Sequence, residues 1–202
     1  MIHPQEECVG LLLSGGLDSS ILLTHLLAQR QRVQPLYIRL QLVWEDAELR
    51  VLRKFLQAVA SPLLQELVIL QLPVDDLYDG HWSITGRETP GAETADDAVY
   101  LPGRNPLLLI KAALWCQMRG IRRLALAPLG SNPFADATDA FFNEFQSALS
   151  RAASAEIRIE RPFANLDKRQ VMALGKDCPL ELTFSCIAPV DGLHCGVCNK
   201  CA

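Results

Sequence analysis

The spacing of hydrophobic positions changes several times along the chain, and each change marks an element. Residues 8–13 form a short apolar run closed by a Ser-Gly-Gly turn, and from 17 to 29 apolar positions recur at helical spacing. The chain opens strand, loop, helix. Residues 32–40, with Pro35 near their start, read as a second strand. Residues 45–60 read as a second helix with Val51, Leu52, Phe55 and Leu56 on one side. A third strand over 67–72 is closed by Pro73. Further on, the pattern predicts a helix over 105–118, a strand over 123–127, a helix over 137–152, a strand over 156–160 and a short helix over 167–175 capped by Asp167. Alternation of this kind predicts parallel strands joined by right-handed crossovers: an α/β, doubly wound parallel sheet covered by helices on both faces.

Between 73 and 102 the periodicity is lost, and prolines, glycines and acids such as Asp75, Asp76, Asp96 and Asp97 take over. A loop of roughly 30 residues is uncommon in a compact domain, so it is a candidate lid over a substrate. There is no internal repeat and no convincing linker. With 202 residues, the expected organisation is one main domain over 1–180 and a small C-terminal segment over 181–202.

Composition narrows the class. Hydrophobic residues make up 50% and charged residues 21%, values of an ordered globular protein. The most apolar stretches, 8–13 and 106–114, are far shorter than the ~18 to 20 residues of a membrane span. Gln5, Glu6 and Glu7 stand where a secretory signal would carry basic residues, so a cytoplasmic protein is expected. The net charge is −4 and no dense run of Lys or Arg occurs, which disfavours a large nucleic-acid substrate. Arg119, Arg122, Arg123, Arg151, Arg158 and Arg161 are spread among acids and read first as solvated surface.

The first chemical signal is Ser14-Gly15-Gly16-Leu17-Asp18-Ser19-Ser20, at the turn from first strand to first helix. Glycines let the backbone curl closely around an anion, and the free amides of a helix N-terminus favour phosphate. Ser14, Ser19 and Ser20 add hydroxyl donors. Asp18 would repel phosphate, so it either acts through a bound Mg²⁺ or caps the helix. A Gly-rich turn followed by a cap is the bland alternative for the whole loop. The spelling GxxxxGK[ST] is absent, which argues against an ordinary P-loop NTPase.

The second signal is Cys186, Cys195, Cys198 and Cys201, four of seven cysteines within the last 17 residues of the chain. An odd total argues against a paired disulfide framework, and two overlapping CxxC knuckles supply four thiolates for a closed tetrahedral Zn²⁺. Buried free thiols and an iron–sulfur cluster are the alternatives. A closed site has no position for water, so a metal there is structural. Gly192 and Gly196 supply the turns, Asn199 and Lys200 can direct amides toward sulfur, and His194 is a neighbour rather than a ligand. Cys8, Cys116 and Cys178 read as core or incidental.

SGGLDSS resembles the SGGxDS signature of PP-loop ATP pyrophosphatases. That resemblance implies an adenine-nucleotide-binding α/β fold that splits ATP between the α and β phosphates. It also implies pyrophosphate at residues 14–20 and adenine against the second strand, near Tyr37 and Ile38. Three more segments are similar to the 7-cyano-7-deazaguanine synthase family: Leu101-Pro102-Gly103-Arg104-Asn105, Leu180-Glu181-Leu182-Thr183-Phe184-Ser185-Cys186, and His194-Cys195-Gly196-x-Cys198-x-x-Cys201.

Membership would imply an ATP-dependent carbon-nitrogen ligase that converts 7-carboxy-7-deazaguanine and ammonia to the nitrile through an adenylate and an amide, as a step toward queuosine. The cofactors would be ATP, Mg²⁺ and Zn²⁺. Asp18 and Arg104 would be catalytic, and Arg104, Asn105, Asn132 and Asp136 substrate-binding. A homodimer is compatible. Arg104 can steady a carboxylate or a phosphate, or form a surface ion pair; Asn105 can bind ligand or cap its helix. Lys111, Lys168 and Arg169 are weaker candidates for phosphate.

Two stretches depart from the family. Leu40-Gln41-Leu42-Val43-Trp44-Glu45 stands where Asp-Tyr-Gly-Gln is usual, and Pro133-Phe134-Ala135-Asp136-Ala137-Thr138-Asp139 replaces Ser-Gly-Tyr-Pro-Asp-Cys-Arg, with Phe142 near a family position. Trp44 and Phe134 then either stack on a flat ligand or pack in the core. The competing functions are an enzyme adenylating a different small carboxylate, a tRNA-thiolating or tRNA-ligating PP-loop enzyme, and a non-catalytic nucleotide-binding module.

Overall fold

The computed structural model describes residues 8–201; Gln5, Glu6 and Glu7, on which the absence of a leader was argued, lie outside them. Strands β1 (Val9–Leu12), β2 (Val33–Arg39), β3 (Val68–Gln71), β4 (Arg123–Ala125) and β5 (Arg158–Glu160) form one sheet in the order β3-β2-β1-β4-β5. Every pairing is parallel. The helices are α1 (Leu17–Ala28), α2 (Glu45–Ala58), α3 (Trp82–Thr85), α4 (Arg104–Gln117), α5 (Asp139–Ala152) and α6 (Lys168–Leu174).

Alternate residues of each strand point to opposite faces, which divides the core in two. Leu11, Val33 and Ala125 pack with Ile21 and Leu22 of α1, Leu52 and Phe55 of α2 and Val171 of α6. Leu36, Ile38 and Leu124 pack with Leu109 and Ala113 of α4 and Leu149 of α5. No described helix is long and apolar enough to cross a membrane.

Two caps behave as their chemistry requires. Asp167 accepts from the Gln170 amide at 2.8 Å while the Gln170 side chain accepts from the Asp167 amide at 2.8 Å, a closed capping box. Asn105 does not cap α4: Gly103, at φ +75°, holds that position, and Asn105 lies inside the first turn.

The segment between β3 and α4, the candidate lid, is packed against the core and the cysteine segment. Trp82 stacks on Trp44 with ring centroids 5.7 Å apart, and the Tyr78 hydroxyl donates to the Pro102 carbonyl at 2.7 Å. Its far end is fastened to the cysteine segment: the Ala92 amide donates to Val197 O at 3.0 Å and the Asn199 amide to Pro90 O at 2.9 Å. Leu42 and Trp44 are each 5% exposed and belong to the core beneath it. Phe134 instead meets Tyr100 at 4.6 Å. Core packing thus holds for Trp44, while Phe134 stays half-buried beside Tyr100 and outside the core clusters.

Helix α4 approaches β1 closely only because Gly10 lacks a side chain. A Cβ there would stand 2.6 Å from Cys116 Sγ, a thiol with no exposed surface. Gly10→Ala is therefore expected to destabilise the fold by roughly 1 to 3 kcal/mol, and Cys116→Ala in the same chain to restore part of the loss. Urea unfolding of the two single variants and the double variant measures both; equal stability of Gly10→Ala and the parent would show that α4 is free to move away.

Candidate functional site

At the carboxyl end of β1 the chain turns through Ser14-Gly15-Gly16 into α1. Gly15 adopts φ +83°, a conformation costly for any residue with a Cβ. The turn is held from within: Ser14 Oγ accepts from the Gly16 amide at 3.3 Å and lies 3.2 Å from Ser19 Oγ, which donates to Gly16 O at 3.1 Å. It is also held from outside, because the Phe184 amide donates to Gly15 O at 2.9 Å. Gly16 occupies the N-cap of α1 without a side-chain cap. Asp18 caps nothing; its Oδ1 accepts from Lys168 Nζ at 2.6 Å, which ties the start of α1 to the start of α6.

A cavity of about 560 Å³ opens in front of this helix end. It is lined by Ser14, Gly16, Leu17, Asp18 and Ser19 of the loop and the start of α1, by Tyr37 and Ile38 of β2, and by Arg104, Asn105 and Asn132. Gly15 does not line it, and Ser20 is fully buried, its hydroxyl without a partner. Asp136 stands behind Asn105, accepting from its amide and from Nδ2 at 3.3 Å each, while its carbonyl takes Nδ2 at 3.0 Å. Lys111 and Arg169 do not border the cavity, whereas Lys168 does.

Several lining residues escaped the sequence reading. Ser185, Asn199 and Lys200 close the cavity from the cysteine segment, and Glu45 and Glu48 enter it from α2. Glu48 lies four residues before Leu52 and seven before Phe55, so helical spacing already placed it on the buried face. Glu45 spends both oxygens on backbone amides, Leu40 at 2.6 Å and Gln41 at 3.1 Å. Glu48 accepts from the Tyr37 hydroxyl at 2.6 Å.

Burial pushes the Glu48 carboxyl up to about 8, despite the Tyr37 hydrogen bond and the Arg104 charge, which both act to lower it. Burial and the Glu48 charge hold the Tyr37 phenol far above its ordinary range. Arg104 Nε is buried and has no hydrogen-bond acceptor. An orphaned donor of this kind calls for an acceptor on a bound molecule.

The four Sγ atoms of Cys186, Cys195, Cys198 and Cys201 lie within 4.8 Å of one another, with Cys186 to Cys198 at 3.8 Å and Cys195 to Cys201 at 4.0 Å. A tetrahedron with metal–sulfur bonds of about 2.3 Å has sulfur–sulfur edges of about 3.8 Å, so the set fits one tetrahedral ion. A four-iron cluster binds each thiolate to a different iron and would spread them further. Amides point at the sulfurs: Cys198 and Val197 donate to Cys195 Sγ at 3.3 and 3.5 Å, and Cys195 to Cys186 Sγ at 3.4 Å. Burial raises the Cys198 thiol, but backbone hydrogen bonds from Ile187 and Lys200 together with the neighbouring thiols bring it down to about 7. His194 packs edge-on against Phe184 at 4.6 Å, with Nδ1 3.9 Å from Cys201 Sγ.

The sheet order, the loop after β1 and the cavity define an α/β protein of the PP-loop type. Its likeness to a solved structure described as a predicted subunit of tRNA methyltransferase from Methanocaldococcus jannaschii concerns the fold alone: TM-score 0.54, 14% identity, 84% of this chain and 74% of that one. The sequence goes further. The family described as Queuosine biosynthesis protein QueC matches residues 8–202, and the chain belongs to that family. Relatives include 7-cyano-7-deazaguanine synthase 1 of Desulfitobacterium hafniense, 28% identical over 96% of this chain and 87% of that protein. The 7-cyano-7-deazaguanine synthase of Magnetococcus marinus is 30% identical over 94% of this chain and 87% of that protein.

Glu48 has a measurable signature. Its native carboxyl titrates near 8 and its unfolded one near 4.5, so the native state holds the extra proton between those values. Its contribution to stability is thus present at low pH and lost as pH rises from about 4.5 to about 8. In thermal unfolding across that window, the melting temperature of Glu48→Gln should gain on that of the parent as pH rises. A pH-independent difference would mean that Glu48 ionises as a solvated carboxyl.

Proposed function

We propose that this protein adenylates 7-carboxy-7-deazaguanine with ATP and uses ammonia to carry it to 7-cyano-7-deazaguanine, releasing AMP and pyrophosphate. The observation that carries the reading is that the Ser14–Ser19 loop and Arg104 line one and the same cavity. Membership of the family and the names of its relatives supply the substrate.

A carboxylate oxygen attacks the α-phosphorus of ATP, and the bond to the β-phosphate oxygen breaks with loss of pyrophosphate. Ammonia adds to the activated carbon, AMP leaves with the oxygen, and an amide remains. A second adenylation, at the amide oxygen, lets AMP depart again as the nitrogen loses its protons to give the nitrile.

In this reading the free amides at the start of α1 and the hydroxyls of Ser14 and Ser19 hold the pyrophosphate portion of ATP. Lys168, paired with Asp18 at 2.6 Å, adds positive charge beside it. Asp18 Oδ2 is left for Mg²⁺, which screens phosphate charge when bound. Tyr37 and Ile38 flank the adenine, and Arg104, with its orphaned Nε, meets the acid or a phosphate. Asn105, fixed by Asp136, and Asn132 contact the acid. The four thiolates hold a structural Zn²⁺, whose segment forms the wall that carries Ser185 and Asn199. The site of action is the cytoplasm.

The bias against tRNA substrates rests on the net charge of −4. Nothing in the cavity favours a second reading.

Incubation with ATP, Mg²⁺, ammonium and the acid should yield AMP and pyrophosphate. ADP and orthophosphate as first products would sink the proposal. Asp18→Asn should lower kcat by about 100-fold or more while leaving folding little changed.

Elemental analysis should find one zinc per chain, and Cys198→Ser should lose it together with thermal stability. A metal-free protein of unchanged stability would contradict that part.

A further inference from the structure

Leu42 and Trp44, which follow β2, are both buried in the core and offer the cavity no polar group. The cavity nevertheless contains a polar reader, and it comes from α2. Glu48 is 7% exposed and borders the cavity. Its Oε2 is fixed by the Tyr37 hydroxyl at 2.6 Å, which orients the carboxyl and leaves Oε1 to the cavity. One turn earlier, Glu45 is spent on backbone amides and has no such freedom. The same cavity is lined by Arg104, with its orphaned Nε. A buried carboxyl, and a guanidinium whose Nε is buried without an acceptor, are both costly unless a ligand completes them.

A carboxyl whose Oε2 can accept a second hydrogen bond besides that of Tyr37, and whose Oε1 has none from the described residues, matches a group with hydrogen-bonding atoms side by side in a plane. The amidine edge of a flat base, a ring nitrogen next to an exocyclic amino group, is such a group. We propose that Glu48, oriented by Tyr37, is the specificity-determining residue that reads the amidine edge of a planar base in this cavity, with Arg104 donating to an acceptor elsewhere on the ligand.

Two ligands of the proposed reaction carry that edge. The ionised carboxylate offers two acceptors and fits the N1–H and 2-amino group of the deazaguanine acid. The neutral carboxyl offers one donor and one acceptor and fits N1 and the 6-amino group of adenine. The charged or titratable groups facing Glu48 are Tyr37 on β2, Glu45 on its own helix and Arg104 on α4. Because burial pushes the Glu48 carboxyl up to about 8, the two matches have opposite pH dependence: affinity for the acid rises with pH, and affinity for ATP falls. The acid match rests on the function proposed above; the adenine match does not.

The test measures binding of two ligand pairs to the full-length protein: 7-carboxy-7-deazaguanine against its 2-deamino counterpart, and ATP against the triphosphate of purine riboside, which lacks the 6-amino group. The parent protein is expected to prefer the amino-bearing member of at least one pair by about tenfold or more. Glu48→Met should erase that preference by weakening the amino-bearing member more than the other, which keeps only its ring nitrogen to lose. Glu48→Gln tells the sources apart, because an amide still matches adenine and no longer matches the acid. A cooperative thermal transition checks that each variant folds.

Absence of any preference in the parent, or survival of every preference in folded Glu48→Met, overturns the inference. So does a variant whose only defect is a raised KM for ammonium. If the acid does not bind the parent at all, the function proposed above fails, while the ATP pair still judges Glu48.

Discussion

The whole arrangement depends on the position of β1. It is hydrogen-bonded on both sides, to β2 and to β4, and its two faces are covered. A strand committed in this way can offer chemistry only where it ends. The order β3-β2-β1-β4-β5 makes that end the point where the connections diverge to opposite sides of the sheet, which leaves a crevice there. Gly10 lets α4 lie directly against β1, so the start of α4, with Arg104 and Asn105, reaches the same crevice. The phosphate loop, β2 and α4 thus converge because one central strand fixes all three.

The cysteine segment belongs to this design as more than an appendage. Phe184 donates to the carbonyl of Gly15, the residue whose left-handed backbone shapes the phosphate loop. Cys186 and Cys198 are buried in the larger core cluster, and Asn199 and Lys200 look into the cavity. The same segment fastens the chain between β3 and α4 through Pro90, Ala92 and Thr94. Pulling the four thiolates together would therefore set the backbone of the loop over residues 14–20, so that the proposed metal and nucleotide sites would be mechanically linked.

Features encoded locally were legible in the sequence. The Ser-Gly-Gly turn, the capping box at Asp167 and the two knuckles each lie within a few residues, and their chemistry specifies their geometry. What was not legible depends on residues far apart. Lys168 meets Asp18 across 150 positions, and no spacing rule finds such a pair. Asn105 looked like a cap until the fold brought Asp136 to it, and a side chain with a better partner does not cap. Trp44 reads equally as a stacking or a core residue in sequence, and only the arrival of Trp82 from the long segment, with burial in the core, decides it. Glu48 was the exception: its place on the apolar face of α2 could have been read by extending that face one turn toward the N-terminus.

The central claim is that an oxygen of the substrate acid is transferred to the α-phosphorus of ATP in this cavity. The most direct measurement uses 7-carboxy-7-deazaguanine carrying oxygen-18 in its carboxylate, with mass analysis of the nucleotide formed in the presence of ammonium. The account predicts that the label is recovered in AMP and is missing from pyrophosphate. Label released to water, or found in orthophosphate, would contradict it.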